Sequence, residues 1–173
     1  MTSTAILNHP HTGQVINTLS LPSLIRLVSE IDDNGPISHQ RGSLQGAFGD
    51  LTRHQLRYAI DVARALGLVH FTDHAPARYR LTEAGEDLAS VYDTVARWSR
   101  THQYPNTARD FVTRVQHTLK LLGDNGAILP TEAAFALGQL RTTLADWLQT
   151  HPQILNAVAS RSSHAADETE HAA

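Results

Sequence analysis

The stretch from Leu51 to Gly67 constrains the chain more than any other, because its start, its two faces and its end are all written in residue chemistry. Thr52 is a good N-cap, and Gln55 three residues on completes a capping box. Leu56, Ala59, Ile60, Ala63 and Leu66 recur at helical spacing and form one apolar stripe. Gly67 is a natural stop just past the end. The stretch therefore predicts one amphipathic helix. At about 100° per residue, Arg53, Arg57 and Arg64 fall within about 40° of one another. His54 and Tyr58 lie beside them on the polar side. A plain solvated face has the same look, with Asp61 paired to Arg57 at i,i+4 or to Arg64 at i,i+3. The neighbours decide between the two.

Whole-chain charge says little, since 173 residues carry a formal net charge of −3. Its distribution says more. From Arg41 to Arg80 there are six arginines against three acids, a local +3, which leaves the remainder at about −6. Such asymmetry points to an anionic partner. The length suits one domain, or one domain plus an extension, and 41% hydrophobic residues suffice for a packed core. Cysteine is absent, which removes disulfides, thiol catalysis and zinc–thiolate sites together. No apolar run approaches the ~20 residues of a membrane span, and no signal peptide is evident. A cytoplasmic protein without membrane contact is the expectation.

Residues 1–18 are polar and aperiodic, with Pro10 and Gly13, and read as a flexible arm. Ser20 to Ser23 opens a helix with stripe Leu24, Leu27, Val28 and Ile31, ended by Asp32 to Pro36; Pro36-Ile37-Ser38 suits a very short strand. Gly42 to Gly49 reads as a short helix with its turn at Gly49-Asp50, directly before the long helix. Short helix, tight turn and longer capped helix make the helix-turn-helix pattern. After Gly67 the period changes. Leu68 to Thr72 and Arg78 to Leu81 are strands, joined by a loop, 73–77, that holds Pro76. Thr82 then caps a helix with stripe Leu88, Val91, Tyr92, Val95 and Trp98. Asn106 or Thr107 is read as the cap of the next helix, and Thr131 as the cap of the one after. Pro152 begins a last short helix, and from Ser160 the Ser/Ala/His/acid composition reads as disordered.

Gly67-Leu68-Val69, the hairpin, and then Arg78-Tyr79-Arg80-Leu81-Thr82-Glu83-Ala84-Gly85 resemble the wing and following helix of winged-helix bacterial transcription regulators. The likeness is greatest to the HxlR-type group within the broader MarR-like set, and Leu51-Thr52-Arg53-His54-Gln55-Leu56 is similar to the start of that group's recognition helix. It covers roughly residues 21 to 100. The resemblance implies a mainly α fold with a small antiparallel β-hairpin wing, a winged helix-turn-helix plus a C-terminal helical extension. The division that follows is a flexible arm over 1–18, a DNA-binding domain over 19–102, a helical extension over 103–160 and a disordered tail over 161–173. Two departures matter. The sensing cysteines of some members are missing, so thiol-based sensing is not carried over. The region after Asn106 is longer than an ordinary member's C-terminus and suits dimerisation or effector binding.

The expected function is a sequence-specific DNA-binding regulator, a repressor that reads a two-fold operator on double-stranded DNA as a homodimer. Arg53 and Arg57 suit guanine edges, and His54 or Tyr58 a base or a phosphate. Arg78 suits a narrow minor groove or its phosphates. Arg41, Gln45 and, near its helix end, Arg64 suit the backbone, with Asp61 the alternative partner for Arg64. The homodimer is expected on the helices at 82–101, 107–122 and 131–149, whose apolar surface exceeds what a small domain needs. The aromatics Tyr92, Trp98, Tyr104, Phe111, Phe135 and Trp147 read as core or dimer contacts, or as the lining of a small-molecule effector pocket. The alternative is a winged-helix protein–protein interaction module with no operator, which would more naturally carry apolar residues in place of Arg53, Arg57, Arg64, Arg78 and Arg80. His9, His11, His70 and His74 lack a carboxylate or Cys at metal spacing, so no metal or cofactor is expected. Gly42-Ser43-Leu44-Gln45-Gly46 has its serine in the wrong place for a nucleophile elbow, and no phosphate-cradling loop is present; no enzyme is expected.

Overall fold

The computed structural model describes residues 3–74 and 78–170. Within them the chain is mainly helical, with nine helices and one small three-stranded antiparallel sheet. The order is α1 (Ser3–Leu7), α2 (Thr12–Leu19), α3 (Pro22–Asn34), β1 (Ile37–Ser38), α4 (Arg41–Ala47), α5 (Arg53–Ala65), β2 (Val69–Thr72), β3 (Arg78–Leu81), α6 (Glu83–His102), α7 (Phe111–Gly123), α8 (Thr131–Thr150) and α9 (Gln153–Glu170). The loop tip at 75–77, with Pro76, lies outside the described residues.

The local chemistry of α5 is as its residues dictate. Thr52 accepts from the Gln55 N–H at 3.1 Å, and the Gln55 side chain accepts from the Thr52 N–H at 2.9 Å. At the other end Gly67 adopts φ 70°, a conformation that only glycine takes without strain. The Leu68 N–H then bonds to the Ala63 carbonyl at 2.8 Å and the Gly67 N–H to that of Arg64 at 3.0 Å, which satisfies two orphan carbonyls. The chain leaves directly into β2. Strand β3 lies in the middle of the sheet, with Ile37 and Phe71 opposite Tyr79, and Ser38 and Thr72 opposite Arg78.

Helix α6 is locked to this unit at its first turn. Thr82 caps it by accepting from the Gly85 N–H at 3.2 Å, and its own hydroxyl donates to the Gly67 carbonyl at 2.5 Å. A Cβ built on Gly85 would lie 2.1 Å from the Leu68 carbonyl oxygen, so the helix approaches the backbone entering β2 more closely than any side chain allows. Further along α6, the buried Tyr92 hydroxyl donates to the Leu19 carbonyl at 2.8 Å, and Trp147 of α8 donates to the Ala84 carbonyl at 3.1 Å. The buried apolar side chains form one cluster that runs from Ile6 to Val158.

Three expectations about the chain's ends and loops are corrected. The arm read as flexible over 1–18 is, from Ser3 onward, two helices whose Ile6, Val15, Ile16 and Leu19 are buried; α1 packs on α8, and α2 on α7 and α9. Thr12 joins them by donating to the Ile6 carbonyl at 2.6 Å. Of the tail read as disordered over 161–173, residues 161–170 continue α9 to Glu170, a helix whose start is anchored by buried Ile154, Leu155 and Val158, and 171–173 lie outside the described residues. Helix α7 begins not at Asn106 or Thr107 but after Asp110, whose carboxylate accepts from the Thr113 N–H at 2.8 Å.

Candidate nucleic-acid interface

Helix α5 exposes two neighbouring strips. Arg53, Arg57 and Arg64 occupy one, in line with the buried Ile60; His54, Tyr58 and Asp61 occupy the next. The first strip forms a wall of a groove of about 560 Å³ between α4, α5 and the sheet. Gln45 of α4 faces it across the groove, Asp61 stands on its rim, and Tyr79 with His39 closes the sheet side. His54 and Tyr58 are exposed beyond that rim and do not line the groove. The buried Ala59, Val62 and Ala63 hold the far side of α5 in the core, so the helix cannot roll its arginines inward.

The electrostatics of the groove decide what it can hold. Among the described residues, ion pairs join Arg26 to Glu30, Arg26 to Asp50, and His151 to Asp87. None involves Arg53, Arg57 or Arg64. The pairing of Asp61 with Arg57 or Arg64, which an ordinary solvated face would favour, is not formed. Three cations and one carboxylate thus share a concave surface. At its sheet side the rings of His39, Phe71 and Tyr79 sit 5.1 to 5.8 Å apart. Burial pushes the Tyr79 phenol up, against the opposing pull of nearby Arg64. His39 had no signal in the sequence beyond its place after the short strand.

The remaining expected site residues lie apart. Arg41 begins α4, and its side chain is outside the described residues. Arg78 and Arg80 alternate with Tyr79 and so leave β3 on the opposite face from the groove. Arg78 is half-buried, with its Nε enclosed and without a hydrogen-bond partner. Arg80 lines a different hollow beside Asp32 and Glu86. The Asp32 carboxyl there is pushed up by burial and by the neighbouring carboxylates of Asp93, Asp33 and Glu86.

Behind the groove, one side chain ties three segments together. Arg26 of α3 donates from Nη1 to Glu30 at 2.5 Å, from Nε to Asp50 at 3.3 Å and from Nη2 to the Ala47 carbonyl at 3.0 Å. Its guanidinium lies over the Phe48 ring, 5.3 Å from the centroid. A cavity of about 540 Å³ opens beside it, lined by Asp32, Asp33, Asp93, Asp110 and Phe111 among others. Of the other aromatics proposed as pocket lining, Tyr92, Trp98 and Trp147 are core, Tyr104 packs against Trp98, and Phe135 is exposed.

Among the described residues, no three His, Cys, Asp or Glu side chains gather as a metal site. The His9 and His11 rings lie 5.4 Å apart, and His11 bonds to Gln14. No helix is long and apolar enough to cross a membrane. No family model, curated protein or solved structure matches the chain.

Proposed function

We propose that this chain is a sequence-specific DNA-binding regulator that lays α5 in the major groove. The observation that carries the reading is the set of three exposed arginines, Arg53, Arg57 and Arg64, on one wall of a groove, none of them ion-paired among the described residues. A cation left unpaired beside a concave surface suits a phosphate backbone or a guanine edge. The order of elements adds support. A helix, a short strand, two helices joined by a tight turn and a two-stranded hairpin, with sheet order β1-β3-β2, match a winged helix-turn-helix. In this reading Arg53 and Arg57, in the first turns of α5, reach base edges beside His54 and Tyr58, while Arg64 and Gln45 meet phosphates. Arg78, on the opposite face of β3, stands outside the α5 groove, so the minor-groove contact expected of it at the wing is a separate one.

Repression follows most simply, since occupying an operator suffices for it. The proposed homodimer rests on the two-fold symmetry of operators. The surplus of apolar surface expected on α6, α7 and α8 is largely spent on the chain's own core. What remains exposed near the start of α8 is Ile128, at 99%, and Phe135, at 71%. Those two side chains favour a second reading, a winged-helix protein–protein module with no operator. Binding to random duplex DNA at rising salt separates the two readings. A regulator binds with an affinity that falls steeply with salt, and it enriches a two-fold motif from a random pool; a module of the second kind does neither.

A further inference from the structure

The α4–α5 turn is held from outside by Arg26. Ala47, whose carbonyl Arg26 caps, is the last residue of α4, where helix carbonyls have no partner within the helix. Phe48, under its guanidinium, is 1% exposed. Asp50 stands two residues before the Thr52 cap of α5. Glu30, the third acceptor, is itself held by Asn34 Nδ2 at 2.8 Å. One planar cation therefore bonds acceptors on α3, at the end of α4 and in the turn, while its face covers an aromatic ring. A guanidinium fork can do this in a single plane; an ammonium cannot.

We propose that Arg26 is a positioning residue for the α5 interface: it fixes the angle at which α5 leaves α4 and so aims Arg53 and Arg57, without touching DNA itself. This rests on the DNA-binding reading. Two carboxylates already engage the Arg26 charge, which leaves it poorly suited to a phosphate contact. Its exposure is only 26%, whereas Arg53 and Arg57 are open to solvent.

The test uses Arg26→Lys, which keeps the charge and the stem, beside Arg26→Ala. Wild-type protein first selects a duplex from a random-sequence pool. Affinity for that duplex and for a random one is then read by fluorescence anisotropy over a range of salt, well below each variant's unfolding midpoint. Arg26→Lys is expected to bind the selected duplex roughly fivefold to fiftyfold more weakly, within the span for residues coupled through one network. The random duplex should change little, the salt slope should stay as in the wild type, and amide exchange across Leu51–Gln55 should quicken. Wild-type affinity in both folded variants would reduce Arg26 to a stabilising role and overturn the proposal. So would a slope shallower by about one phosphate, the mark of direct contact. If Arg26→Ala does not fold, Arg26→Lys alone decides. A wild-type protein that binds neither duplex reports separately that the DNA reading itself has failed, and the proposal with it.

Discussion

Gly85 touches the backbone of Leu68 so closely that a Cβ at position 85 would lie 2.1 Å from the Leu68 carbonyl oxygen. The neighbour is main chain, held by the Thr82 N–H at 2.9 Å, and cannot swing aside. Gly85→Ala is therefore expected to destabilise the fold by about 1–3 kcal/mol, although alanine is the better helix former. Gly138, within α8, meets nothing within 4 Å of its Cβ position. Gly138→Ala should stabilise by about 0.5–1 kcal/mol. Paired urea titrations check the opposite signs.

Arg57 lies on the groove wall, exposed and without an ion-pair partner among the described residues. Arg57→Ala should lower specific duplex affinity by about 1–3 kcal/mol and leave the unfolding midpoint nearly unchanged. Arg80→Ala, on the far face of β3, should leave DNA affinity close to wild type. A filter-binding titration of folded variants that ranks Arg80 above Arg57 would remove the groove from consideration.

Asp110 caps α7, and the Thr113 N–H is the main reason its carboxyl is held below the usual carboxylate range. A depressed folded-state pKa contributes stability that is present above the unfolded value and is lost as pH falls through the folded one. Asp110→Ala should cost about 1 kcal/mol near neutrality. The gap between variant and wild type should close as pH drops below about 4. Thermal melts of both proteins across that range read the convergence; a gap constant with pH would mean the carboxylate is not the cap that matters.

Tyr92 is fully buried, and its hydroxyl gives the Leu19 carbonyl its side-chain donor at 2.8 Å. Tyr92→Phe removes the donor and keeps the ring, which should cost about 1–3 kcal/mol because a buried carbonyl loses its partner. The loss should appear first as faster amide exchange in α2.

What was legible in the sequence was local. The Thr52–Gln55 box, the Gly67 stop and the change of period at Leu68 each involve residues within a few positions of one another, and all three appear as read. What was not legible depends on distant partners. Arg26 looks like any polar residue on α3 until Ala47 and Asp50, 21 and 24 residues away, come to meet it. The start of α7 was misplaced because Asn106, Thr107 and Asp110 are equally good caps by type, and only the fold selects among them. Around the start of α2, Pro10 and Gly13 argue for a flexible arm, but Val15, Ile16 and Leu19 are spaced for one buried face, which α7 and α9 cover. Within the site, the two-residue period of β3 already implied that Arg78 and Arg80 share one face of the strand and the buried Tyr79 the other.

The seating of α1 and α2 has a practical consequence for anyone cloning this gene. A version trimmed to begin at Leu21, where the resemblance to regulators starts, keeps every residue of the α5 groove. It discards the acceptor of the Tyr92 hydroxyl, the α1 cover on α8 and the Gln14 side chain that Ser162 reaches at 3.1 Å. Such a minimal fragment would come out of the cell sticky and prone to precipitate, and its poor yield would say nothing about whether the chain with α1 and α2 in place binds DNA.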